Sequence, residues 1–200
     1  DALYEQHAID ESIGLTGSKL LNLDGTLQEA GGIVWGNGEP WNAGRNENPF
    51  APEWNYAREV DYLTGAAMCI KADVWKEVGG FSDEFAPCYY EDADLAFKVR
   101  EAGYRTVYVP HSEVIHFEGQ SHGTDLKKGL KASQKVNEKT FRAKWFKHPE
   151  TAQWCRVEPW MSTFVNADNG NILGVVDGRS SANITRWLKQ RSQAWLDSLE

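Results

Sequence analysis

Cysteine and methionine are scarce in this 200-residue chain, at three and two copies. Cys69, Cys88 and Cys155 are odd in number and widely spaced, and no Cys-x-x-Cys pair occurs. That pattern argues against a disulfide framework or a cysteine-based zinc site, so the thiols read as small buried hydrophobes in a reducing, cytoplasmic setting. Long apolar runs are missing too: no stretch approaches the roughly 20 residues that cross a bilayer. The N-terminal residues show no basic region followed by an apolar one of the kind that directs secretion. Positive charge is in deficit, with 21 Lys and Arg against 29 Asp and Glu and a formal charge of −8. Nucleic acid is therefore not an expected partner.

The deficit is uneven. Residues 125–147 hold eight basic side chains (Lys127, Lys128, Lys131, Lys135, Lys139, Arg142, Lys144, Lys147) against Asp125 and Glu138, a local balance of +6 that leaves −14 elsewhere. The segment reads as a helix capped by Thr124 or Asp125, with Leu126, Leu130, Phe141 and Trp145 as apolar anchors. Its charge is either a solvated face or a contact for an anionic partner, such as a membrane surface or a lipid-pyrophosphate acceptor. With 41% hydrophobic residues the chain can bury one core and carry an appendage.

Local signals fix most of the remaining order. Ala2 to Glu11 reads as a short helix and Ile13 to Thr16 as a buried strand in which Gly14 and Gly17 permit close packing. Asp24-Gly25 between two apolar segments predicts a hairpin. From Trp35 to Tyr56 the texture changes to Gly, Asn, Pro and aromatics, a long loop whose Trp35, Trp41 and Trp54 either plug it or present faces to a ligand. Val60 to Ile70 reads as a strand, Ala72 to Val78 as a helix stopped by Gly79-Gly80, and Tyr104 to Val109 and Val114 to Phe117 as two further strands separated by Pro110. Asn169-Gly170 predicts a second hairpin, and Ala182 to Leu199 a last amphipathic helix.

The chemistry concentrates at Tyr89-Tyr90-Glu91-Asp92-Ala93-Asp94-Leu95, where two adjacent carboxylates precede a helical pattern of Leu95, Ala96, Val99 and Ala102 closed by Gly103. A helix N-terminus favours negative charge, so Glu91 or Asp92 is expected to be ionised and oriented, whether as a cap or as a base. In order, the chain carries Thr64-Gly65-Ala66-Ala67, Val78-Gly79-Gly80-Phe81-Ser82-Asp83-Glu84-Phe85, Tyr90-Glu91-Asp92-Ala93-Asp94-Leu95, Ala102-Gly103-Tyr104-Arg105, Val109-Pro110 and Val114-Ile115-His116. Over about residues 1–145 this series resembles the family-2 glycosyltransferases of GT-A fold, with Ser82 in place of the commoner Asp. The resemblance implies an α/β fold, a partial GT-A-like mixed sheet flanked by helices. Residues 1–124 would form the acceptor-binding, catalytic-base half without the nucleotide-binding half, and residues 125–200 a helix and hairpin extension.

It further implies inverting transfer of a sugar from a nucleotide-sugar donor to a polysaccharide or glycolipid acceptor, in the cytoplasm or at the inner face of the membrane. Asp92 would be the base, with Glu91, Tyr89, Tyr90, Gly65 and Ala66 binding substrate. A divalent metal, Mn or Mg, would take His116 as a ligand in the intact enzyme. Asp92-Ala93-Asp94 is not read as the family's metal motif, because it lies at a helix start, and His111 and His122 are read as loop residues. Adjacent helical residues point about 100° apart, so Glu91 and Asp92 do not form the opposed carboxylate pair of a glycosidase. A non-catalytic carbohydrate-binding module and a nucleotide-sugar hydrolase remain as alternative readings of the same scaffold.

Overall fold

The computed structural model describes residues 2–34, 38–119 and 129–145, together with the backbone of 161–165 and 172–177. Helix α1 (Ala2–Ile9) leads into strand β1 (Ile13–Leu21), the centre of a five-stranded mixed sheet. β1 carries the strand expected at Ile13 to Thr16 on to Leu21, into the apolar segment before Asp24-Gly25. Its partner on one edge is β7 (Arg105–Ile115), parallel along almost its whole length. The other edge is shared: β2 (Leu27–Glu29) pairs antiparallel with Leu20 and Leu21, and β6 (Met68–Ile70) with Leu15 to Gly17. The two-residue β5 (Arg58–Glu59) closes the far side against β7. A parallel pair cannot be joined by a hairpin, so everything between β1 and β7 forms the crossover, including helices α2 (Ala72–Val78) and α3 (Glu91–Glu101).

The first hairpin forms around Asp24-Gly25 as expected, with Gly25 in the left-handed region at φ 83° and Asp24 Oδ1 accepting from Thr26. The close packing expected of Gly14 and Gly17 is also present. A Cβ on Gly17 would sit 2.6 Å from Leu63 Cδ2, and one on Gly14 2.7 Å from Tyr104 Cβ. Two strand assignments change. Val60 to Ile70 is not one strand, because its ends pair with different partners: Tyr62 bridges Gly32, whereas 68–70 pairs with β1, so residues 63–67 form a turn that rejoins β1 where Ser18 N donates to Ala67 O. Conversely, Pro110 does not separate two strands. The pairing steps from Ser18↔Val109 to Lys19↔Glu113, so Pro110 to Ser112 bulge out and β7 continues, which places the proline where no ladder hydrogen bond is needed.

The long loop is ordered by its aromatics. β3 (Gly32–Val34) and β4 (Pro40–Asn42) pair within it, and Trp54 is fully buried, its carbonyl accepting from Tyr108 Oη at 2.9 Å. Trp54 therefore plugs the loop, while Trp35 lies outside the described residues.

Helix α3 buries Ala93, Asp94, Leu95, Ala96, Phe97 and Val99, more than one face. One reason is α4 (Ser133–Trp145), which packs on α3 through Phe141 and Trp145. Phe141 packs 5.1 Å from Phe97 and Trp145 5.4 Å from it, between ring centroids. Each such side chain removed from water contributes about 1.5–3 kcal/mol. The segment expected to open an extension at residue 125 thus adds Phe141 and Trp145 to the same core as β1 and α3. β8 (Met161–Val165) and β9 (Ile172–Asp177) pair antiparallel, as the second hairpin required; Asn169-Gly170 itself lies outside the described residues. The expected helix at 182–199 lies outside the described residues, and no described helix is long and apolar enough to cross a membrane.

Candidate active site

Three segments distant in sequence meet at the start of α3. The chain enters the helix through Tyr89 and Tyr90, both left-handed, with φ of 76° and 73°. Non-glycine residues rarely adopt this conformation, and consecutive ones mark a turn that its surroundings enforce. Tyr90 is the N-cap residue and caps with no side-chain bond; its carbonyl accepts from Asp94 N at 2.9 Å. Asp92 then reaches across to the 63–67 turn. Its Oδ2 accepts from Gly65 N at 3.2 Å and its Oδ1 from Ala93 N at 2.8 Å. Beside it, Glu29 at the end of β2 accepts from Thr64 N at 3.2 Å. Neighbouring amides of one turn are thus held by two different carboxylates.

Burial dominates the electrostatics. Glu29 is 1% exposed, and loss of solvent pushes its carboxyl up to about 8, with the Thr64 bond opposing and the Asp92 charge adding. Burial also pushes Glu91 up to about 7, with Asp92 adding. Asp92 is raised as well, burial outweighing its bonds to Ala93 and Gly65. Burial thus opposes the preference of the helix start for the ionised forms of Glu91 and Asp92. A helix N-terminus contributes on the order of 0.3–1 kcal/mol, less than the cost of stripping water from a carboxylate.

Gly65 and Ala66 are exposed, and a Cβ on Gly65 would meet nothing nearer than Asp92 Cβ at 4.0 Å, so open space lies over the turn. Tyr89 is half-buried with Lys131 Nζ 4.5 Å from its ring centroid. Tyr90 is 5% exposed and packs 5.3 Å from Phe141, so its ring serves the core. Asp94 is fully buried and bonded to Ser82 Oγ, Trp145 Nε1 and Lys144 Nζ. That carboxylate is used internally, in keeping with the reading of Asp92-Ala93-Asp94 as something other than a metal motif.

His116 lies just past the end of β7, beside Gln28, the neighbour of Glu29. Its Nδ1 is 2.7 Å from Gln28 Oε1, while Gln28 Nε2 donates to His116 O and Asn22 Oδ1. Those donations fix the amide, its oxygen can only accept, and so Nδ1 carries a proton and Nε2 is the nitrogen left for any further partner. Among the described residues, no three His, Cys, Asp or Glu side chains are placed to hold an ion.

Sequence reasoning missed Glu29, Gln28 and Asn137. Glu29-Ala30-Gly31-Gly32 gave no sign that its carboxylate would face Asp92, since that depends on how β2 meets the 63–67 turn.

Residues 51–136 match the family model described as "Glycosyltransferase like family 2". The chain is 32% identical over 96 residues to the N-acetylglucosaminyl-diphospho-decaprenol L-rhamnosyltransferase of Mycobacterium tuberculosis (strain ATCC 25618 / H37Rv), covering 48% of this chain and 30% of that protein. It is 32% identical over 120 residues to the O-antigen biosynthesis protein RfbC of Myxococcus xanthus, covering 56% and 9%, and over 130 residues to the uncharacterized protein y4gI of Sinorhizobium fredii (strain NBRC 101917 / NGR234), covering 62% and 14%. The chain thus spans less than a third of each of these relatives. Among solved structures, GalNAc-T7 with UDP, GalNAc and Mn2+ superposes with a TM-score of 0.50 at 15% identity, over 77% of this chain and 30% of that one. The fold is accordingly GT-A-like, a curled mixed sheet with helices, as the sequence led one to expect.

Proposed function

We propose, from the family 2 homology of residues 51–136, that this chain is the acceptor-side part of an inverting glycosyltransferase with Asp92 as general base. The observation that carries the reading is the placement of Asp92. Its carboxylate is fixed between Ala93 N and Gly65 N beside an open, exposed turn, and burial raises its affinity for a proton. A base works best when its pKa approaches the working pH. In the reaction the acceptor hydroxyl gives its proton to Asp92 as its oxygen bonds the anomeric carbon. The bond from that carbon to the diphosphate breaks on the opposite face, and the nucleoside diphosphate leaves with the electron pair. Glu91 and Tyr89 are assigned to acceptor hydroxyls and the Gly65-Ala66 backbone to the donor sugar, where the lack of a side chain permits close approach.

The acceptor class follows the relatives: a lipid-linked or polysaccharide glycan, met at the cytoplasmic face of the membrane. A divalent cation would help a diphosphate depart. His116 is assigned to it as one ligand, and among the described residues no further side chains complete a set.

The test is initial-rate transfer by the whole protein. Asp92→Asn should lower kcat by about 10²–10⁴ with donor affinity kept, the loss typical of a missing base. Glu91→Gln should raise the acceptor KM more than it lowers kcat, and His116→Ala should raise the Mn²⁺ concentration for half-maximal rate. Should Asp92→Asn keep more than about a tenth of kcat, the carboxylate only caps α3. Binding of glycan without any turnover would favour the carbohydrate-binding module, and release of free sugar without acceptor the hydrolase.

A further inference from the structure

We propose that Asn137 of α4 is a positioning residue, holding the Tyr89–Tyr90 turn so that Glu91 and Asp92 face the 63–67 turn. The inference rests on the reading of Asp92 as base, but its geometry stands apart from it. Asn137 is 3% exposed, in the middle of a helix where asparagine has no intrinsic advantage. Its Nδ2 lies 2.8 Å from Phe85 O, 2.9 Å from Cys88 O and 2.9 Å from Tyr89 O. One amide nitrogen thus gathers three carbonyls of the segment that delivers the chain to α3.

That segment needs such a partner. Its last two residues are the left-handed Tyr89 and Tyr90, and Tyr90 O accepts the Asp94 amide of the first turn of α3. Relaxation of Tyr89 toward negative φ would swing the Tyr90 carbonyl and with it the direction in which α3 begins. Asp92 meets Gly65 N through its outermost atom, so a small rotation at the helix start breaks that bond first. Phe141, one turn further along α4, packs on Phe85, Tyr90 and Phe97 and keeps the segment dry without orienting its carbonyls. The two roles separate along one helix: Phe141 packs, and Asn137 aims. The family-model match ends at residue 136, one position before Asn137.

The test compares the whole protein with Asn137→Asp, nearly isosteric but presenting oxygen to the three carbonyls, and with Asn137→Ser, which keeps one donor. Val107→Ala, in the small core on the α1 side of the sheet, is the control for lost stability. Two readouts are taken well below each variant's Tm. Amide hydrogen exchange should quicken in residues 86–94 for Asn137→Asp and less so for Asn137→Ser, with β1 unchanged. In the transfer assay Asn137→Asp should lose about 10²-fold in kcat, the scale of a displacement of about 1 Å at a reacting group, with donor KM nearly constant. Asn137→Ser should fall between, and Val107→Ala should keep kcat despite its lower Tm. Unchanged exchange at 86–94, or a kcat loss that follows Tm equally in the asparagine variants and Val107→Ala, would overturn the proposal. If the wild type transfers no sugar, the catalytic reading fails, and the exchange pattern alone decides whether Asn137 sets the turn.

Discussion

Glu29 is the residue whose behaviour departs most from its type. A glutamate at the end of an edge strand would ordinarily titrate near 4.5, yet here burial lifts it to about 8. The consequence for stability has a definite sign. Between those two values the unfolded chain has released this proton and the native protein has not, so stability falls as pH rises through that window. Glu91 adds to the same slope from 4.5 to about 7. Glu29→Gln retains an oxygen for Thr64 N and has no proton to lose. It should flatten the decline of Tm across the window and raise Tm at its alkaline end, by about 2–4 °C for each kcal/mol in a chain of this size. Calorimetric scans of both proteins across that pH range decide it, and parallel slopes would give Glu29 an ordinary carboxyl.

At the scale of elements, α4 sets the environment of α3. An α3 resting on the sheet alone would turn Phe97 and Asp94 to water. With α4 in place Phe97 is fully buried, and Asp94 takes bonds from Ser82, Trp145 and Lys144. Phe141 touches Phe85, Tyr90 and Phe97 together, and the cavity left by its removal could not collapse without moving all three. Phe141→Ala should therefore cost about 3–5 kcal/mol of unfolding free energy, the range for large aromatic truncations in cores. Urea titration measures it, and a loss below about 1 kcal/mol, well under that range, would mean that α4 is only loosely docked. The bulge at Pro110 to Ser112 shows the same dependence on partners. Lys19, 1% exposed, bonds Glu113 at 2.7 Å and Asn55 Oδ1 at 2.6 Å, which ties the resumed part of β7 to β1 and to the long loop.

For the whole molecule, the charge balance read along the chain changes meaning once folded. Of the basic residues in α4 and the turn before it, Lys144 pairs with Glu84 and Asp94, Arg142 with Glu138, and Lys131 lies over Tyr89. Lys135 and Lys139 face solvent. Lys127, Lys128 and Lys147 lie outside the described residues. The proposed contact with anionic lipid through 125–147 therefore depends on fewer cations than the raw count of eight. Exposed charges are screened over about 8–10 Å at ordinary salt. Co-sedimentation of the whole protein with phosphatidylglycerol vesicles should weaken with added salt and fall further in Lys135→Glu/Lys139→Glu. Equal binding by the double variant would reduce this face of α4 to a solvated surface.

The sequence by itself determined the order of the elements and the place of the candidate base, because those rest on signals carried within a few residues. Gly79 and Gly103 end helices, Asp24-Gly25 turns a hairpin, and Glu91-Asp92 opens α3 wherever that helix is placed. The tertiary structure alone decided what faces what. The division of Val60 to Ile70 between two partners, the continuation of β7 past Pro110, the meeting of Glu29 and Asp92 on adjacent amides, and the hold of Asn137 on the Tyr89–Tyr90 turn each join segments far apart in the chain. So does the proton affinity of the site. A carboxylate's residue type and helix position are local and argue for ionisation, whereas its desolvation is a sum over every element packed around it, and here the sum prevails.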